Sequence, residues 1–159
     1  MADNQKTIDK KKICLAASAG GHLTQLLIMV QSWSKYEPVY ISTSKVAASK
    51  LSQLGKTYIV GECNRKTPFK CLAIFFRCLS IIINERPDYV ISTGAAPGLF
   101  ICVAAKLMRA KVVWVDSIAN VKKLSMSGMI VRPFADLFLT QWPELRNPAK
   151  KIEYYGGLI

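Results

Sequence analysis

The chain has 159 residues, 51% of them hydrophobic, with 22 lysines and arginines against 10 acidic residues and a net charge of +12. That length suits a single domain, and a mean hydropathy of +0.21 excludes a disordered or low-complexity chain. The charge demands an anionic partner: a lipid surface, a nucleic acid or a phosphorylated substrate.

Residues 1–11 read as a flexible polar arm, and residues 12–159 as one domain. Lys12 to Ala17 is a short apolar run ending in Ser18-Ala19-Gly20-Gly21, the pattern of a buried strand entering a tight turn. His22 to Trp33 follows with Leu23, Leu26, Leu27 and Val30 at helical spacing. Val39 to Ile41 is a second strand, Val46 to Leu54 a helix closed by Gly55, and Thr57 to Val60 a third strand. Pro68 to Asn84 is a long helix with Pro at its start. Asp88 to Ile91 is a fourth strand ending in Ser92-Thr93-Gly94, and Pro97 to Met108 is helical. Lys111 to Val115 and Ala135 to Thr140 are the fifth and sixth strands. Continuously apolar strands alternating with helices, about five in all, imply a parallel sheet covered on both faces. The expected class is therefore α/β, a single Rossmann-like doubly wound sheet.

Five cysteines, at positions 14, 63, 71, 78 and 102, form no C-x-x-C pair. With an odd number and no secretory leader, they point to reduced thiols in a cytosolic setting. A single His and no close Cys pair disfavour a zinc site. The longest apolar segment, Phe69 to Ile83, is too short to span a bilayer and is broken by Lys70 and Arg77. A soluble-like, intracellular protein is expected.

In such sheets ligands sit at the carboxyl ends of the strands, near the point where strand order reverses. Two Gly-rich turns precede helices there: residues 18–22 after the first strand and residues 92–98 after the fourth. Their backbone N–H groups and helix dipoles can meet an anion, or the glycines serve the turns alone. The dinucleotide fingerprint needs G-x-G-x-x-G and an acid ending the second strand. Here the turn reads A-G-G-H-L-T and the strand ends Ile41-Ser42-Thr43. No G-K-[ST] phosphate loop is present either. The lone His22 stands at the positive end of a helix, where neutral imidazole can accept a proton; the competing role is a cap or a polar filler.

Three blocks carry a family resemblance. The segment Ala17-Ser18-Ala19-Gly20-Gly21-His22-Leu23-Thr24-Gln25-Leu26 resembles the Gly-Gly-His turn of two-chain glycosyltransferases. These are the PssD-type bacterial exopolysaccharide subunits and the eukaryotic Alg-fourteen subunit of asparagine-linked glycosylation. Residues 113–128, from Val113-Trp114-Val115-Asp116-Ser117 to Leu124-Ser125-Met126-Ser127-Gly128, are similar to that family's strand-acid-Ser and Leu-Ser-x-x-Gly signature. Residues 135–145 resemble its Gln-Trp block, and residues 86–94 fit its fourth strand and turn.

The resemblance implies the N-terminal half of a GT-B glycosyltransferase, the acceptor-side domain. The UDP-sugar is then a donor substrate held mainly by a separate donor-binding chain, with no cofactor and no metal. Its acceptor is a polyprenyl-diphosphate-linked sugar, in exopolysaccharide, capsule or lipid-linked oligosaccharide biosynthesis. The expected location is peripheral, on the cytoplasmic face of the cell membrane. The eukaryotic subunit's N-terminal membrane helix has no counterpart here. Asn120 stands where the family usually carries Arg, and Asp116 where relatives often carry Glu.

His22 is the first candidate for the base that deprotonates the acceptor hydroxyl in an inverting displacement. Asp116 is the second candidate, or the group orienting the sugar, or a helix N-cap. Gly20, Gly21, Thr93 and Gly94 would wall the acceptor, with Thr24, Ser117, Asn120 and Ser125 completing the substrate-binding set.

In the helix from Phe69 to Ile83, Lys70, Arg77 and Asn84 recur every seven residues and share one polar stripe. The helix is either buried on most sides or interfacial, with Lys70, Phe75, Phe76 and Arg77 meeting an anionic membrane. Arg65, Lys66 and Arg86 flank it. The apolar end, Tyr154 to Ile159, is expected to dock on the donor chain. A non-catalytic scaffold that recruits the donor-binding chain to the membrane is the alternative function. Nucleic-acid binding is disfavoured, because the basic residues form no aromatic-interleaved stripe.

Overall fold

Short apolar runs separated by amphipathic segments become six parallel strands and five α-helices in the computed structural model, which describes residues 10–64 and 66–158. The strands are β1 (Lys12–Ala16), β2 (Glu37–Ser42), β3 (Lys56–Ile59), β4 (Tyr89–Ser92), β5 (Lys111–Val115) and β6 (Leu137–Leu139). The helices are α1 (Gly21–Ile28), α2 (Lys45–Leu51), α3 (Pro68–Glu85), α4 (Ala95–Leu107) and α5 (Met126–Val131). The strand order is β3-β2-β1-β4-β5-β6. β1 therefore lies between β2 and β4, and the order reverses beside it. The expected doubly wound α/β sheet is present, and its switch point falls between the turns that follow β1 and β4.

Alternation along the strands divides the core into two layers. Ile13, Leu15 and Tyr40 pack with Leu26, Trp33 and Leu51 beneath α1 and α2. Cys14, Ile41, Val90, Val112, Trp114 and Phe138 pack against α3, α4 and α5 on the other face. Each such side chain fully withdrawn from water contributes about 1.5–3 kcal/mol. All five cysteines are free thiols. Cys14, Cys78 and Cys102 are fully buried, and burial pushes each thiol well above its ordinary value, so these three are inert packing groups.

Several boundaries differ from those read in the sequence. The helix expected over 22–33 ends at Ile28, and a 3-10 turn over Val30–Trp33 follows. The tighter turn swings Trp33 into the core, where it is 4% exposed. β2 starts at Glu37, two residues early. Pro38 is tolerated there because β3 begins pairing only opposite Val39, so no neighbour needs the missing N–H. α5 had no expected bounds. The polar arm falls largely on residues outside those described, but the Lys11 carbonyl already accepts from the Glu37 N–H.

Two buried or half-buried carboxylates pin the amino-terminal edge of the sheet. Glu85, at the end of α3, receives Lys56 at 2.6 Å, Lys12 at 3.1 Å and the Tyr58 hydroxyl at 2.5 Å. Burial alone would raise its acidity constant, but these partners together hold it down at about 2. Asp136 is likewise pushed up by burial and pulled down to about 2 by Lys106, the Val112 N–H and Lys111.

Candidate functional site

The turn after β1 needs one glycine for its backbone. Gly20 caps α1 at φ +91°, a conformation that side-chain-bearing residues rarely adopt. The turn is tied down from the neighbouring strand, where the Thr43 hydroxyl accepts the Ala19 N–H at 3.0 Å. Gly21 is different: its φ is ordinary and a Cβ there would meet open space. Nothing in the fold asks for glycine at that position. α1 has no side-chain cap, and α4 likewise begins on Gly94 with none. Two helix N-termini with free N–H groups therefore flank the switch point.

His22 joins them. Its Nδ1 lies 2.8 Å from the Thr93 carbonyl, and the Thr93 hydroxyl donates to the His22 carbonyl at 2.7 Å. A carbonyl can only accept, so Nδ1 carries the hydrogen. In the neutral ring, Nε2 is then the nitrogen with a free lone pair. The ring rests on Gly94, where a Cβ would come within 2.6 Å of it and where φ is +134°. Gly94 is thus required twice over. The structure brings together His22, Gly20, Gly21, Thr93 and Gly94 from the predicted set. Thr24 is exposed beside them, its hydroxyl donating to the Gly20 carbonyl at 3.3 Å.

Asp116 does not join this group as a base. It is 1% exposed, and its carboxylate is committed: Oδ1 accepts from Trp114 Nε1 at 3.1 Å and from the Ser125 hydroxyl at 2.5 Å, and Oδ2 from the Ser125 N–H at 2.8 Å. An enclosed carboxylate with both oxygens engaged cannot reach an acceptor hydroxyl. Nor is it the cap of α5. Ser125 is that cap, accepting from the Gly128 N–H at 2.8 Å, and Asp116 holds Ser125 in place. Gly128 leaves room for the cluster, since a Cβ there would meet Asp116 Oδ1 at 2.8 Å. Asp116 and Ser125 are positioning residues that anchor both ends of the 117–124 loop. That loop carries Asn120, whose N–H bonds to the Ser117 carbonyl, together with exposed Lys122 and Lys123.

The loop is linked to the His22 helix through residues not singled out in the sequence. Gln25, buried one turn after His22, donates to the Ser117 hydroxyl at 3.3 Å and accepts from the Ile118 N–H at 3.3 Å. Gln141 donates to Gln25 at 2.6 Å and to the Asp116 carbonyl at 2.9 Å. Trp142 Nε1 donates to the Ile118 carbonyl at 2.8 Å. Ser117 is therefore buried within this network rather than open to a ligand. The available signal was Gln25 itself, a polar side chain on the inward face of an amphipathic helix.

α3 is not buried on most sides. Ile74, Cys78, Ile81, Ile82 and Glu85 face the core. The outer face exposes Phe69 (87%), Leu72 (54%) and Phe76 (57%) beside exposed Lys70, Arg77 and Asn84. Phe75 departs from the predicted surface set. It packs edge-on against Phe100 of α4 with centroids 5.9 Å apart. Lys66 and Arg86 are exposed, and Arg65 lies outside the described residues. Among the described residues no helix is long and apolar enough to cross a membrane. At the chain end the Leu158 N–H donates to Gln141, Tyr155 is exposed, and Ile159 lies outside the described residues.

Residues 13–158 match the family described as oligosaccharide biosynthesis protein Alg14 like. A Yarrowia lipolytica protein named UDP-N-acetylglucosamine transferase subunit ALG14 is 29% identical over 93% of this chain and 81% of its own length. The human protein of the same name is 29% identical over 92% and 82%, and the Schizosaccharomyces pombe protein 34% identical over 68% and 55%. Among solved structures, Acinetobacter baumannii MurG superposes with a TM-score of 0.77 at 16% identity, over 92% of this chain and 46% of that one. The UDP-N-acetylglucosamine 2-epimerase of Rickettsia bellii gives 0.70 at 14% identity, over 94% and 45%. The chain thus spans about half the length of the solved chains whose fold it shares.

Proposed function

Since the chain belongs to the Alg14-like family of oligosaccharide biosynthesis proteins, we propose that it is the acceptor-side subunit of a split glycosyltransferase. The observation that carries this reading is the His22–Thr93 couple set between two uncapped helix N-termini at the sheet's switch point. The Thr93 carbonyl holds the hydrogen on Nδ1 and leaves Nε2 to accept a proton. A hydroxyl of the acceptor sugar meets Nε2 and attacks the anomeric carbon of a UDP-sugar. Its proton passes to His22, the bond from that carbon to UDP breaks, and UDP leaves with the electron pair. Configuration at the anomeric carbon inverts.

The acceptor's diphosphate lies against the free N–H groups of α1 and α4, where Gly20 and Gly21 leave the approach open. Asn120 offers hydrogen bonds, and Lys122 and Lys123 on the same loop supply charge. The acceptor is a polyprenyl-diphosphate-linked sugar in lipid-linked oligosaccharide or exopolysaccharide assembly. The donor, UDP-N-acetylglucosamine by the names of the relatives, is held by a second chain corresponding to the other half of a GT-B enzyme. The exposed apolar and basic face of α3 settles on an anionic membrane at its cytoplasmic side.

The test is turnover by the reconstituted two-chain complex. His22→Ala and His22→Gln are expected to lower kcat by about 10²–10⁴-fold with acceptor binding retained. Near-normal turnover removes His22 from the chemistry. Loss of acceptor binding with unchanged turnover per bound acceptor assigns the scaffold role. Robust transfer by the isolated chain overturns the split arrangement.

A further inference from the structure

The β4–β5–β6 half of the sheet is covered by helix on one face only. Val90, Val112, Trp114 and Phe138 lie in the core layer with α4 and α5. The opposite face carries Tyr89, Ile91, Val113, Val115, Leu137 and Leu139, every one of them apolar or aromatic. The helix that packs on β4 and β5 is α4, on the far side, while α1 and α2 lie over β1, β2 and β3. Leu137 is 37% exposed, and Ile91, Val113 and Leu139 are only half-buried. A water-facing sheet surface carries polar residues at alternate positions, and parallel sheets bury both faces. This face follows the second pattern and lacks its cover among the described residues.

The groove beside it, about 240 Å³, is walled by Met29, Trp33 and Tyr36. That volume is below the roughly 300–1,000 Å³ of sites that enclose small molecules, and it suits a few inserted side chains. Three strands about 4.8 Å apart and four or five residues long present a face roughly 10 Å wide and 15 Å long. That is the footprint of about three helical turns.

We propose that an amphipathic helix of the donor-binding chain covers this face, its apolar stripe on Val113 and Leu137 and acidic residues along its flank. The inference rests on the subunit reading above and says where the two chains meet. Charge selects the occupant. Exposed Lys10, Lys11 and Lys35 rim the Tyr36–Tyr89 end, with the Lys11 amine 5.6 Å from the Tyr89 ring. Of the acidic groups there, Asp88 is occupied by the Lys12 N–H and Glu37 lies 3.8 Å from the Lys12 amine. A second copy of a chain carrying +12 would meet this rim with like charge. Residues 1–9 offer only Met1, Ala2 and Ile8 as apolar side chains, too few for the stripe.

The experiment co-expresses the chain with the UDP-sugar-binding chain of the same organism and measures complex affinity, with thermal melts of each variant alone. Leu137→Glu, and Val113→Glu where it folds, are expected to weaken the complex by 30-fold or more. Lys10→Glu with Lys11→Glu weakens it several-fold and flattens its salt dependence. Val46→Glu on α2, whose side chain is 86% exposed, changes neither affinity nor melting. A wild-type complex that Leu137→Glu leaves intact overturns the docking site while the subunit reading stands. Absence of any wild-type complex overturns the subunit reading itself. A self-dimer or vesicle binding abolished by Leu137→Glu gives the face to a second copy or to lipid, and also overturns the proposal.

Discussion

His22 and Thr93 are bonded to each other twice, ring nitrogen to carbonyl at 2.8 Å and hydroxyl to carbonyl at 2.7 Å, across 71 residues of sequence. The pair fastens the two Gly-rich turns together and sets the imidazole's tautomer in one arrangement. Thr93→Val keeps the carbonyl and the shape but removes the hydroxyl. Loss of a buried neutral hydrogen bond costs about 1 kcal/mol, readable as a lower Tm. The complex should lose about tenfold in kcat through a less fixed ring, with acceptor KM little changed. Unchanged kcat would mean the hydroxyl does not steady the imidazole.

Two glycines of the same site should respond in opposite ways. Gly94→Ala places a Cβ within 2.6 Å of the imidazole at φ +134° and should destabilise the fold by about 1–3 kcal/mol, besides displacing His22. Gly21→Ala meets open space at an ordinary φ, so the melt should stay level or rise slightly. Its transfer activity should nonetheless fall, because the added methyl narrows the approach to α1. Full activity in Gly21→Ala would remove that wall from the acceptor site.

Asp116→Asn leaves one oxygen and one amide where two oxygens now accept three hydrogen bonds. A stability loss of about 2–4 kcal/mol is expected, with earlier proteolysis in the 117–124 loop. Because Asp116 acts through the loop, the residual activity should keep the wild-type pH profile. A profile that loses its acidic limb would return Asp116 to the chemistry.

Glu85 gives a stability signature in acid. Its carboxyl sits at about 2 in the folded chain against an ordinary 4.5, so its stabilisation is fully present above about pH 5 and is lost as pH falls through 4.5 towards 2. The side chain is 4% exposed, and the contribution is on the order of 3 kcal/mol. Asp136 adds a change of the same sign over a similar range. Glu85→Gln should therefore be less stable than wild type at pH 7 and converge on it near pH 2. Parallel stability curves would show that the Lys12–Lys56–Tyr58 cluster does not hold the charge.

Phe69 and Phe76 are 87% and 57% exposed, so Phe69→Ser with Phe76→Ser should shift folding stability by little more than 0.5 kcal/mol. Binding to vesicles rich in anionic lipid at low salt should drop at least tenfold. Lys70→Glu should lower it further and weaken its salt dependence. Equal binding by wild type and the double variant would end the membrane role of α3.

The sheet was legible because its strands are continuous apolar runs set between helical patterns, and both Gly-rich turns fall at the switch point as expected. The 3-10 turn after Ile28 was not, because Val30 keeps the helical spacing while the depth of Trp33 is decided by the core. α5 is too short to show a period; only the Ser125 cap and Gly128 mark it. Asp116 was misjudged as a base because an acid at a strand's carboxyl end reads as reactive. The corrective was present in the alternation: Asp116 lies two residues after fully buried Trp114, on the side where Gly128 leaves space. On α3, spacing gave the polar stripe but could not show that Phe75 turns inward to Phe100 while Phe69 turns out.

The central place of β1 has a consequence for how the protein is made. A ribosome that has released the first 85 residues has delivered β1, β2, β3 and α3, but β1 still has one unpaired edge, since β4 begins at Tyr89. The Gly-Gly-His turn waits with it, lacking the Thr93 carbonyl. Any pause in translation before β4 emerges leaves that edge available to another nascent chain. The catalytic imidazole is thus assembled in the same event that closes the middle of the sheet.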